Sequence, residues 1–197
     1  MDLDKTIKER KSIREYKDKR VSFKLLMDLV DAALQGPYAG NMNNLKFLIV
    51  EDQSKIKQIA EYADQLWINT APSLIIVCAD EINLENQYGE RGRVYSRQQA
   101  GAAIQTILLK AVDLGLASCW VGSYDDEMIR RLTGIPKHVQ IEAVIPIGYE
   151  KKEKPTNKPD KHKFDGSIYW DSWRTSWRPS VFNEGHVGVP SVTNPRD

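Results

Sequence analysis

Arg10, Lys11, Ser12 and Arg14 fall within five consecutive residues, Arg10-Lys11-Ser12-Ile13-Arg14, and bring three cations and a hydroxyl to one short stretch. The surroundings add to the charge: Lys5, Lys8, Lys17, Lys19, Arg20 and Lys24 face only Glu9, Glu15 and Asp18 between residues 5 and 24. The whole chain carries a formal net charge of only +1. It therefore offers no global field for nucleic acid or an acidic substrate, and a local cluster of this size suits a small anion better than a duplex. The bland alternative is a solvated basic end of a helix.

Two further stretches have residue types that could meet a ligand. Leu116 to Val121 is a short apolar run of strand composition that ends at Gly122 and Ser123. A helix feeding such a strand and its glycine turn can present backbone N–H groups to a ligand, although many turns of this kind only connect elements. The loop Gly36 to Asn44, with Pro37, Tyr38, Asn41 and Asn43, is rich in residues comfortable in turns, and by itself reads equally well as a helix-to-strand connection.

Other chemistries find no support. The chain has no Gly-x-Gly-x-x-Gly after a strand, Walker A loop, Gly-x-Ser-x-Gly elbow or His-Glu-x-x-His helix. His138, His162 and His186 are scattered, so neither a metal site nor a catalytic triad is expected. Cys78 and Cys119 lie in apolar strand-like runs without metal-ligand spacing, and read as buried, reduced thiols of a cytosolic protein. The N-terminus is polar and no apolar run approaches the length of a membrane span, so a cytoplasmic protein without membrane attachment is expected.

The elements that must hold these residues alternate along the 197-residue chain, which is long enough for one domain with a substantial core, alone or with an extension. Leu3 to Arg10 reads as a short helix capped by Asp2 or Asp4, and Ser22 as the N-cap of a second helix with Leu25, Leu26, Leu29, Val30, Ala33 and Leu34 inward. Gly36-Pro37 ends it, Leu45 to Glu51 is a strand, and Ser54 to Asp64 is a helix. Ser73 to Ala79 is continuously apolar, the mark of a strand buried on both faces. Asp80 to Arg93 reads as a polar loop. From Arg97 a central helix carries Ala100, Ala103, Ile104, Ile107, Leu108, Ala111 and Leu114 at three- and four-residue steps and closes at Gly115. Asp125 to Leu132 is a short helix and Gln140 to Ile147 a last core strand.

After Tyr149 the composition changes. A charged, proline-containing segment has no apolar face to bury, and is followed by Tyr169, Trp170, Trp173 and Trp177. Such rings need a surface to cover, either on the same chain or on a partner subunit.

Four separated pieces, in order, resemble the nitroreductase family of FMN-dependent oxidoreductases. Arg10-Lys11-Ser12-Ile13-Arg14 is similar to its Arg-Arg-Ser-x-Arg motif, and Pro37-Tyr38-Ala39-Gly40-Asn41 to its Pro-Ser-x-x-Asn loop. Leu114 to Gly122 and Leu132-Thr133-Gly134-Ile135-Pro136, leading to Ile147-Gly148-Tyr149, complete the set. The resemblance departs most after Asn41, where relatives continue Asn-x-Gln-Pro-Trp and this chain has Asn41-Met42-Asn43-Asn44-Leu45.

The resemblance implies an α+β fold, with a mostly antiparallel central sheet flanked by helices. It also implies a homodimer with FMN at the subunit interface, an FMN-binding domain over residues 1–173 and a C-terminal tail over 174–197. Arg10, Lys11, Ser12 and Arg14 would hold phosphate and ribityl oxygens, with Arg14 also near the pyrimidine edge. Pro37, Tyr38, Asn41 and Asn43 would meet the ring edge or the substrate face. A backbone N–H of Val121 or Gly122 would meet flavin N5, and Lys161 with His162 would add charge near the phosphate. The implied activity is ping-pong transfer of hydride from NADH or NADPH through FMN to a nitroaromatic, quinone or similar small acceptor. No side chain is needed as acid or base, because the cofactor carries the chemistry. Alternatives are a specialised flavin enzyme, reductively dehalogenating or flavin-fragmenting, and a dimeric FMN-binding or interaction protein with little turnover.

Overall fold

The computed structural model describes residues 2–151, 167–173 and 175. The chain divides into two units, Met1–Pro155 and Thr156–Asp197. Strands β1 (Leu45–Val50), β2 (Ser73–Asp80), β3 (Ala117–Ser118) and β4 (Val139–Gly148) form one sheet in the order β1-β2-β4-β3. Every pairing in it is antiparallel.

The centre of the sheet follows from the apolar run in β2. Alternate side chains of a strand point to opposite faces. Leu74, Ile76 and Cys78 accordingly join one cluster with Ile56, Ile59, Ile68 and Ile129, while Ile75, Val77 and Ala79 join another with Leu26, Leu29, Ile104 and Ile107. Helices α3 (Gln53–Tyr62) and α6 (Asp126–Thr133) supply the first cluster; α2 (Phe23–Leu34) and α5 (Glu90–Asp113) supply the second. The result is helix, sheet and helix layers with a core on each side of the sheet, an α+β fold. Burial in that core pushes the Cys78 thiol up to about 11, so it stays protonated through the neutral range.

Local chemistry fixes the helix starts. Asp2 accepts from the amides of Asp4 and Lys5 at the head of α1 (Leu3–Glu9), Ser22 from Leu25, Asp52 from Ser54 and Lys55, and Asp125 from Met128. Gly115, at φ 70°, closes α5 as its sequence position predicts.

Two expectations are corrected. Residues 80–93 are not a polar loop: α4 (Ile82–Tyr88) fills most of the stretch, and α5 begins at Glu90, seven residues before Arg97. The helical face there is carried by few apolar side chains, and it buries Leu84, Gly92, Ser96 and Gln99 instead of a leucine-rich stripe. The run Leu116 to Val121 is not a continuous strand: only Ala117 and Ser118 pair, with Gly148 and Ile147, and Val121 rejoins alone opposite Val144. The reason lies in β4. Continuing the register places Cys119 opposite Pro146, at a position where the ladder calls for an N–H that proline lacks.

Gly92 sets how closely α4 and α5 cross, because a Cβ there would run into the backbone carbonyl of Leu84. Gly92→Ala is expected to force the two helices apart and destabilise the protein by about 1–3 kcal/mol, the usual cost of overpacking. Chemical denaturation checks this; a midpoint equal to that of the parent would show that the crossing yields freely.

Candidate functional site

The basic motif lies on the open edge of β3 and β4. After α1, Arg10 leaves in an extended conformation, and the Ile13 amide donates to the Ser118 carbonyl at 3.0 Å. Further on, Lys17 donates to Tyr149 and Lys151 donates to Glu15, so the segment continues as an edge partner of the chain beyond β4. Ile13 and Tyr16 are buried while Ser12 and Arg14 are exposed. The Tyr16 hydroxyl bonds to the Ile13 carbonyl at 2.8 Å and also lies 3.3 Å from the carbonyl of Pro146, the residue that interrupts the neighbouring ladder.

This register sets Arg10, Ser12 and Arg14 around Cys119. Burial pushes the Cys119 thiol up, while the Arg14 charge, a Ser12 hydrogen bond and the Arg10 charge pull it down by less. The thiol is thus neutral and forms no ion pair with the arginines. Arg14 also sits 5.8 Å from the centroid of the Trp67 ring, a cation–π contact that orients the guanidinium without neutralising it. Lys11 has a different role from its neighbours: its ammonium pairs with Glu150 at 2.7 Å.

The turn after β3 distinguishes the two candidate amides. The Val121 N–H donates to the Val144 carbonyl at 3.0 Å and is already used. The amide of exposed Gly122 has no hydrogen-bond partner among the described residues. Trp120 lies over the bare backbone of α5, its Cη2 4.0 Å from where a Cβ of Gly101 would stand.

The loop of Pro37, Tyr38, Asn41 and Asn43 is held elsewhere, on the first half of α5. The Gln99 side chain accepts from the Ala39 amide at 2.7 Å and donates to the Met42 carbonyl and Asn44 Oδ1, while Asn44 donates to Ser96 Oγ at 2.7 Å. Asn43 accepts from the Leu45 amide, Tyr38 donates to the Leu34 carbonyl, and Gly40 and Asn41 take the left-handed conformation that turns the chain. Pro37, Tyr38 and Ala39 face Tyr95, Gln98 and Ala102 across a shallow cavity of about 290 Å³. Burial raises the Tyr38 phenol, so it remains protonated at neutral pH.

Within one chain, the structure brings Arg10, Ser12 and Arg14 to the strand end at Cys119–Gly122. No hydrogen bond or ion pair among the described residues joins them to the 37–43 loop. Lys161 and His162 lie outside the described residues, as does Trp177. Within the second unit, Tyr169 stacks on Trp173 at 4.7 Å, and Trp173 is 81% exposed. Among the described residues no cluster of three metal-ligating side chains occurs and no helix is long and apolar enough to cross a membrane.

Sequence reasoning missed Gln99, Ser96 and Asn44. A signal was available: Ser96 and Gln99 fall on the same three- and four-residue steps as Ala100, Ala103 and Ile107, so two polar side chains occupy a buried stripe and need internal partners. Gln99→Ala is expected to strip partners from the Ala39 amide and the Asn44 amide group, costing about 1–3 kcal/mol. Hydrogen exchange at Ala39 should accelerate markedly. Unchanged protection there would mean that Gln99 does not fix the loop.

Comparison with known proteins places this arrangement. Residues 7–69 and 63–149 match the family model described as "Nitroreductase family". A Methanothermobacter thermautotrophicus protein provisionally named NADH dehydrogenase/NAD(P)H nitroreductase is 38% identical over 181 residues, covering 88% of each chain. A Bacillus subtilis protein named FMN reductase (NAD(P)H) is 26% identical over 79% of this chain and 68% of its own. The solved structure of an FMN-dependent nitroreductase from Clostridium difficile R20291 superposes with a TM-score of 0.72 at 25% identity, covering 85% of this chain and 98% of its own. A family match spanning residues 7–149, together with a 38% identical relative, shows that this chain belongs to the nitroreductase family.

Proposed function

We propose that the protein is a cytoplasmic, FMN-dependent NAD(P)H oxidoreductase acting on a small acceptor such as a nitroaromatic or a quinone. The observation that carries this reading is the register of Ile13 on Ser118, which sets Arg10, Ser12 and Arg14 beside a strand end where the Gly122 amide is uncommitted. The names of the Bacillus and Clostridium relatives support FMN as the cofactor.

The donor set fits that group. Two guanidinium forks and a hydroxyl suit phosphate and ribityl oxygens, and an unused backbone N–H suits a ring nitrogen. FMN, when bound, would supply hydride acceptance from NAD(P)H and its delivery to the acceptor by ping-pong exchange. The chain's own residues bind and orient. Arg10 and Ser12 hold the phosphate end, Arg14 the pyrimidine edge, and Gly122 is, of the two candidates, the donor toward N5, since the Val121 N–H is taken by Val144. Lys11, paired with Glu150, contributes its charge and anchors the segment. Lys161 and His162 are assigned to the phosphate by the family pattern.

The separate seating of the 37–43 loop on α5 supports a homodimer in which Pro37, Tyr38, Asn41 and Asn43 of one chain complete the site of the other. Exposed Leu3 and Phe23 suit such an interface.

The purified protein is expected to be yellow, to release FMN on heating, and to oxidise NADH or NADPH with menadione as acceptor. Release of FAD alone, or no turnover with either nucleotide after FMN reconstitution, would overturn the assignment. Losing one charge-assisted contact costs about 1.5–3 kcal/mol, so Arg10→Ala should weaken FMN binding by roughly tenfold to a hundredfold, and Arg14→Ala should also lower the flavin's reduction potential. Equal FMN dissociation constants in parent and both variants would remove the arginines from the site.

Light scattering tests the assembly independently. The loaded protein should have twice the chain mass, and a flavin-loaded monomer would exclude a site shared between subunits.

A further inference from the structure

At the other end of β4 lies a second concave region that the oxidoreductase reading leaves unused. It is a polar cavity of about 370 Å³ between the end of β2, α4, the first half of α5 and the start of β4, lined by Glu81, Glu85, Arg93, Arg97, His138 and Gln140. Gln140 is seven residues along β4 from Ile147, the partner of Ser118, which corresponds to roughly 23 Å of strand within one chain.

The charges in this cavity are unevenly committed. Arg93 pairs with Glu85. Glu81 is only 6% exposed, and its Oε1 is buried without any hydrogen-bond partner among the described residues. A buried carboxylate oxygen with no donor is costly, and native structures seldom leave one so. Arg97 lines the same cavity from an exposed position, and its side chain makes no ion pair or hydrogen bond among the described residues. Glu142, two residues along β4 from Gln140, feels both groups: burial raises its carboxyl, Arg97 lowers it and Glu81 raises it. Glu81 and Arg97 thus border one space, with the uncommitted anion deep and the uncommitted cation toward the mouth.

A metal ion suits this arrangement poorly. Arg93 and Arg97 line the same space as Glu81, and no group of three metal-ligating side chains exists among the described residues. A lone anion would meet Arg97 but lie against Glu81, and a lone cation would leave Arg97 unmatched. We propose that this cavity binds a small organic zwitterion, its ammonium group donating to Glu81 and its carboxylate facing Arg97, with Gln140 and His138 as polar contacts on the wall. Ammonium-to-carboxylate hydrogen bonds are of the strong, charge-assisted kind, and burial of the acceptor strengthens them.

Isothermal titration calorimetry on the full chain tests this with glycine, β-alanine and 4-aminobutyrate, a series in which the two charges move apart. n-Butylammonium and butyrate serve as single-charge comparisons. At least one zwitterion should saturate below roughly 10 mM, and both single-charge probes should bind at least about tenfold more weakly. Glu81→Gln and Arg97→Gln should each weaken the best zwitterion by about tenfold or more, with folding verified by circular dichroism. The proposal is overturned if no zwitterion saturates, if butylammonium or butyrate binds as well as the zwitterion, or if both variants bind like the parent. The comparison among probes stands even if Glu81→Gln fails to fold, and none of these readouts depends on FMN or on turnover.

Discussion

The hydrogen bond from the Ile13 amide to the Ser118 carbonyl fixes the register of a segment that has no helix and no continuous strand of its own. Side chains on an extended segment alternate between faces, so a slip of one residue would turn Ser12 and Arg14 inward and Ile13 outward. Burying Ile13 prevents this: it adds apolar area to the core only when Ser12 and Arg14 face out. Tyr16 strengthens the lock through its hydroxyl, which bonds back to Ile13 and reaches the Pro146 carbonyl. The proline that breaks the β3 ladder therefore leaves an acceptor that the basic segment uses.

The same break accounts for the geometry of the strand end. With no amide on Pro146, Cys119 and Trp120 leave the ladder, and Val121 recovers it through two hydrogen bonds with Val144. A strand that stayed paired would point alternate amides at β4. Here Val121 is consumed, Gly122 is left over, and Trp120 turns onto Gly101 of α5.

How much of this was legible in the sequence depended on whether local pattern or distant partners decided each feature. The unbroken apolar run of β2 announced a strand covered on both faces, and Asp2, Ser22 and Gly115 marked helix ends by chemistry that acts within one turn. Residues 80–93 failed because a polar helix and a polar loop share a composition. What makes α4 and the start of α5 helical is their packing on each other through Leu84 and Gly92, a contact between segments. The end of the run Leu116 to Val121 failed for a similar reason, since Pro146, which interrupts it, lies 27 residues beyond Cys119. In the basic stretch, motif spacing singled out Arg10, Ser12 and Arg14, and the fold turns Ser12 and Arg14 outward. Nothing near Lys11 revealed its pairing with Glu150, and nothing near Ala39 revealed its dependence on Gln99.

Charge at the site is divided by these partnerships. Of the three cations in residues 10–14, the one with the compact ammonium is spent on Glu150, at the point where the segment joins the chain beyond β4. The two with planar guanidinium groups stand near a thiol that burial holds neutral and, for Arg14, over an aromatic ring that orients without discharging it. A lysine serves well as an anchor because a single point contact suffices, whereas oxyanion recognition gains from a forked donor. Exchanging Lys11 for arginine therefore changes little in formal charge, but exchanging Arg10 or Arg14 for lysine removes the forked donor on which the proposed recognition of a phosphate or a ring edge rests.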